Sequence, residues 1–185
     1  MKKLSMAIIS FVICAAASVT ACAQGTVVFA NFFGTYDPDA AVYESDGVTP
    51  CVGPQFRAEL FAGPSVSSMS SIAMVGFAGP SQAGYFFDGV QTINSVAPGS
   101  TAWIQVDVWN TASGATFTAA KDSGLPNSWW QSAIFTVQIV SPPAFPTRLT
   151  GLGESPVFLN SVPEPSIFAF AALGMALVAV RSRTH

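Results

Sequence analysis

Four side chains in the stretch 101–110 alternate with apolar ones: Trp103, Gln105, Asp107 and Trp109 fall between Ala102, Ile104, Val106 and Val108. A period of two places the two rings, the amide and the carboxylate on one face of an extended strand. Aromatic rings flanked by groups that hydrogen-bond hydroxyls are suited to sugars, because a ring covers the apolar face of a pyranose while the polar groups take its hydroxyls. The four residues are a candidate glycan platform, unless a second layer or the neighbouring Trp129 and Trp130 cover them.

A second group of chemistry-bearing residues is the acidic run between Tyr36 and Gly47, which holds Asp37, Asp39, Glu44 and Asp46. Oxygen-rich loops of exported proteins can hold Ca²⁺, but this spacing does not match the twelve-residue EF-hand loop. Asp37-Pro38 and Asp46-Gly47 are turn formers, so the run reads as a solvated loop and no resident metal or other cofactor is expected.

Catalysis has little to draw on. The one histidine, His185, is the last residue, which removes Ser-His-Asp and Cys-His arrangements from the body of the chain. Glycoside hydrolysis needs only two carboxyl groups about 5 to 9 Å apart. Glu59, Asp88 and Asp107 are the strand-associated acids, and nothing in the sequence pairs them. Cys51, with no histidine near it, reads as a packed thiol. The expectation is a protein that is not an enzyme.

The elements that must carry these residues are strands. Short apolar runs alternate with tracts rich in Gly, Pro, Ser and Thr, and nothing repeats at a helical period. Candidate strands are 26–33, 55–62, 71–77, 84–87, 90–96, 101–109, 133–140 and 155–159, with 124–130 and 141–153 as loops. Phe56, Ala58 and Leu60 share one face against Arg57 and Glu59, and Phe135, Val137 and Ile139 oppose Thr136 and Gln138. This pattern predicts an all-β fold, an antiparallel β-sandwich of immunoglobulin-like or jelly-roll type, over residues 24–160.

Composition narrows the partners. Half of the 185 residues are apolar and 9% are charged, so the chain is neither disordered nor a nucleic-acid coat. Between Gln24 and Pro165 only Arg57, Lys121 and Arg148 are basic, against all ten acids, a formal charge of −7. No basic patch is present to neutralise phosphates, and no nucleic acid is expected as partner.

Both ends read as processing segments. Met1-Lys2-Lys3 gives a positive start to a run of apolar and small residues, and Ala21-Cys22-Ala23 places small residues at positions −3 and −1 of a cut before Gln24. Residues 1–23 are therefore a signal peptide, helical until removed. A competing reading takes Val19-Thr20-Ala21-Cys22 as a lipobox, with Cys22 acylated and first in the mature chain. At the other end, residues 167–180 contain no charge, and Arg181 and Arg183 follow at once as a cytoplasmic stop. Fourteen residues of helix cover about 21 Å, short of the roughly 30 Å hydrocarbon core.

Directly before that segment stands Val162-Pro163-Glu164-Pro165-Ser166. Its prolines cannot continue the helix below and hold Glu164 in extended backbone, the form in which a protease takes its substrate. The combination of this tract, one terminal helix and closing arginines resembles the PEP-CTERM family of exported bacterial proteins over residues 161–185. The arginines here are interrupted by Ser182. The resemblance implies recognition by an exosortase, a membrane-embedded cysteine transpeptidase. An inner-membrane-held precursor would be cut and passed to the cell surface or extracellular matrix. It also implies an association with exopolysaccharide or biofilm. The body would then be a structural or adhesive domain, or alternatively a carbohydrate-binding module for extracellular polysaccharide.

Overall fold

The computed structural model describes residues 24–34, 36–140, 144–153 and 156–161, with backbone alone at 36–38. The expected signal peptide, with Ala21 and Ala23, and the expected sorting segment from Val162 onward, with Val162 to Ser166, Arg181 and Arg183, lie outside the described residues. Among the described residues no helix is long and apolar enough to cross a membrane.

The described chain is all-β, with twelve strands and one short α-helix. The larger sheet is built on β5 (Phe56–Gly63), β6 (Ser70–Gly76), β8 (Thr101–Asn110), β9 (Trp129–Gln131) and β10 (Phe135–Gln138). Its order is β10-β8-β5-β6, with β9 also pairing β8, and every ladder is antiparallel. A smaller sheet sets β1 (Gly25–Ala30) between β7 (Phe87–Ile93) and β11 (Thr147–Arg148). Two short ladders complete the strands: β2 (Phe32–Phe33) with β3 (Tyr36–Asp39), and β4 (Val42–Tyr43) with β12 (Val157–Phe158). The β1–β11 and β4–β12 ladders are parallel, a departure from the purely antiparallel expectation.

Alternation explains how the two sheets meet. Ala58, Leu60 and Ala62 on β5 and Ala102, Ile104, Val106 and Val108 on β8 are all fully buried, and they join Val27, Phe29 and Ile93 of the smaller sheet in one hydrophobic cluster. Burial of each larger side chain of this kind contributes about 1.5–3 kcal/mol.

Two irregularities have identifiable causes. The strands expected at 84–87 and 90–96 overlap a single strand, β7, because Asp88 is an extra residue opposite β1: Phe29 faces Gly89, and Ala30 faces Phe87. Gly89 takes φ +74°, which gives the chain a bulge of the kind that needs glycine. Between β9 and β10 the edge of the larger sheet is broken at Ser132. There Ser132 Oγ accepts from Val106 N at 2.9 Å, and Ser132 N donates to Val106 O at 2.9 Å. One residue thus pairs both backbone groups of Val106 across the break.

The supposed loops also carry structure: β9 lies in 124–130 and just beyond it, and β11 lies in 141–153. Helix α1 (Phe117–Asp122) was not expected; Thr116 caps it by accepting from Ala119 N. The chain is tied down as far as Asn160. Its Oδ1 accepts from Ser128 N, Ser128 Oγ and Trp129 N, each at 2.9 Å, while its backbone bonds Asn127 and Trp129.

Candidate functional site

The glycan platform expected on β8 is covered. Trp109 is 1% exposed and Asp107 5% exposed, while Trp103 and Gln105 are half-buried. The cover is α1, which packs on β8 and on the neighbouring β9: Trp129 flanks Trp109 in register, and the Phe117 ring meets the Trp129 ring edge-on at 5.8 Å. Lys121 Nζ stands 4.7 Å from the centroid of the Trp129 ring. A strand pattern identifies its two faces but not what will pack on the second. Trp109 therefore serves as core, and Trp103 is the one ring of the row left partly open.

Asp107 lies opposite Glu59 across the β5–β8 ladder. Burial pushes the Asp107 carboxyl up to about 6, against the bond donated by Gln131 Nε2 at 2.9 Å; Glu59 raises it further and Lys121 lowers it. Glu59 in turn accepts a short bond from Ser71 Oγ. Asp88 is on the other sheet, where it accepts from Gln91.

The acidic run is also arranged differently from a solvated loop, since it contains β3 and β4. Asp39 accepts from Tyr85 Oη at 2.8 Å, and Glu44 accepts from Asn127 Nδ2 at 3.0 Å. Asp46 caps its own turn by accepting from the Thr49 hydroxyl and from Thr49 N and Val48 N, and these bonds, the hydroxyl's first, hold its carboxyl below the usual range. Of Asp37 only the backbone, in β3, is described. Each described acid has a different partner, and among the described residues no three His, Cys, Asp or Glu side chains gather to hold a metal.

The feature with binding geometry lies elsewhere. A groove of about 380 Å³ opens beside β2 and β7 and is lined chiefly by Phe32, Ser81, Gln82, Tyr85, Phe86 and Phe87. Phe86 forms part of the core, packed against Phe29 at 5.1 Å and Phe77 at 5.4 Å between ring centroids. Around it Phe32 is 39% and Phe87 66% exposed, and the Phe32 and Tyr85 rings lie 4.9 Å apart at 43°. Burial, followed by the bond to Asp39, pushes the Tyr85 hydroxyl up to about 12, so it remains a donor at neutral pH. The Gln82 amide and Ser81 hydroxyl have no hydrogen-bond partner among the described residues.

Phe32 and the segment 78–87 form these walls, and Asn31 joins them to each other and to the segment behind that carries Asp39. The buried Asn31 side chain donates to Ala40 O at 2.8 Å and Gly84 O at 2.9 Å, and accepts from Phe86 N at 2.7 Å. Phe32 follows Asn31, Asp39 precedes Ala40, and Tyr85 lies between Gly84 and Phe86. Gly84 itself takes φ +85° and passes so close to Val42 that an added Cβ would meet Val42 O at 3.2 Å.

The sequence signal for the groove was the unusual Tyr85-Phe86-Phe87 triplet following the Ala78-Gly79-Pro80 turn. Alternation turns Phe86 inward and its two aromatic neighbours outward. No family model, curated protein or solved structure matches the chain.

Proposed function

We propose that this chain is an exported bacterial protein, held in the inner membrane as a precursor and passed by an exosortase to the cell surface or extracellular matrix. Its body is a non-enzymatic structural or adhesive domain associated with exopolysaccharide or biofilm. The finer fold we assign to that body is a two-layer β-sandwich, immunoglobulin-like or jelly-roll, since residues from both sheets share one apolar cluster. The observation that carries the sorting proposal is the order of segments: a basic start and apolar run, the β-domain, then Val162-Pro163-Glu164-Pro165-Ser166, an apolar stretch and Arg181 and Arg183. The anchoring of Asn160 supports it, because the folded body reaches to within two residues of Val162.

Mass spectrometry of both mature ends tests the proposal. A first residue at Gln24 and a last residue close to Pro165 are expected. An intact Arg183 on surface-exposed protein sinks the sorting step, and diacylglycerol on Cys22 sinks the cut before Gln24.

A second reading, binding of extracellular polysaccharide, is favoured by the aromatic groove in place of the covered tryptophan row. Retention of the full chain on polysaccharide from its host, and its elution by soluble fragments of that polymer, is the direct measurement.

A further inference from the structure

We infer that the groove between β2 and β7 is a subsite for one neutral pyranose residue of a polysaccharide, an assignment that rests on the polysaccharide-binding reading above. Phe87, the most exposed of its rings, offers a face to the apolar side of a sugar, with Phe32 and Tyr85 as a tilted second wall. Gln82 and Ser81 stand among these rings with their side-chain donors and acceptors unengaged within the described protein, as hydroxyl recognition requires. The Tyr85 hydroxyl already donates to Asp39, which fixes its orientation and leaves its oxygen to accept from a ligand hydroxyl. An apolar and aromatic surface with a few convergent polar groups, in a volume of a few hundred Å³, is the usual composition of a small-ligand site.

Charge selects the class of sugar. Among the described residues no basic side chain lines the groove. Asp39 is bonded to one of its walls, and the body from 24 to 160 carries three basic residues against nine acids. A uronate or sulfated sugar would bring like charge to a site with no cation to meet it, whereas a neutral sugar meets no such cost. Rigidity favours binding as well. Asn31 fixes the Phe32 and 84–86 walls to each other and to the Ala40 segment behind them, so little backbone ordering is left to oppose association.

The test titrates the full chain, in a detergent without a sugar head group, with neutral glucan, mannan and galactan oligosaccharides and with uronan oligosaccharides. Wild-type protein is expected to bind at least one neutral series. Phe87→Ala and Gln82→Ala should each weaken that binding at least tenfold, with melting temperature unchanged because neither side chain is buried, and Trp103→Ala should leave it intact. Neutral-glycan binding that survives both groove variants overturns the assignment of the groove while the polysaccharide reading stands. Binding of uronans alone overturns the choice of sugar class. If no glycan binds, or if Phe87→Ala abolishes self-association instead, the polysaccharide reading and the subsite fall together.

Discussion

Asp107 faces Glu59 directly across the β5–β8 ladder, with Asp107 buried and Glu59 half-buried. Since the folded protein holds the Asp107 proton up to about pH 6, it binds more protons than the unfolded chain between the ordinary carboxyl value and 6. The contribution of this group to stability is therefore largest in acid and is lost as pH rises through 6. Asp107→Asn keeps an oxygen for Gln131 and removes the buried charge. It should stabilise the protein at pH 7.5 by on the order of 1–2 kcal/mol and have little effect at pH 4. Equal effects at the two pH values in urea titrations would contradict this account.

The Asn31 amide is predicted to be the most sensitive polar group in the fold. Asn31→Ala strands Ala40 O and Phe86 N in the interior and takes from Gly84 O one of its two bonds, the other coming from Val42 N. At about 1–3 kcal/mol for each of the two unpaired groups, a loss of about 2 kcal/mol or more is expected. Asn31→Asp can still accept from Phe86 N, but as a carboxylate it opposes two carbonyl oxygens. Its melting temperature should be higher at pH 4 than at pH 7, the reverse of what simple acid destabilisation would produce.

At the break between β9 and β10, Ser132→Ala removes the acceptor of Val106 N. Loss of about 1–3 kcal/mol is expected, with faster amide exchange at Val106. Unaltered exchange at that amide would show that another group takes over the bond.

Cys51 is fully buried, and burial, with smaller effects of Glu44 and Asp46, pushes its thiol up to about 12. In the native protein at pH 8 it should resist iodoacetamide for hours, whereas peptide mapping after denaturation should find it fully alkylated. Rapid native labelling would mean that the strands around it open readily.

The strands with regular alternation were legible from sequence alone: β5 and β8 lie within a residue or so of the expected ranges, since Phe56, Ala58, Leu60 and Ile104, Val106, Val108 must share a dry face. The two-residue strands β4 and β11 are too short to show a period, and the Trp129-Trp130 pair in β9 disguises one. Pro38 made β3 resemble a loop, and the Asp88-Gly89 bulge made one strand look like two. The tryptophan row was legible as a face but not as a covered one, because its cover includes a helix of six residues with no long apolar period. The groove escaped for a different reason: Phe32 and Asp39 face each other across the short β2–β3 ladder, but Tyr85 is about fifty residues away and reaches them through the hydrogen bonds of a single buried asparagine.

Asn160 sets the length of a leash. Seven peptide steps separate it from Ile167, where the apolar segment begins, a reach of at most about 25 Å when fully extended. A compact domain of this size has a radius of gyration of about 14 Å. If the sorting proposal holds, the uncut protein therefore rides against the bilayer, and its own bulk screens Glu164 from anything approaching from the aqueous side. A cutting enzyme embedded in the membrane is spared that obstruction. Inserting a ten-residue Gly-Ser spacer after Ser161 should expose the tract to added soluble proteases; continued resistance would place the shielding elsewhere.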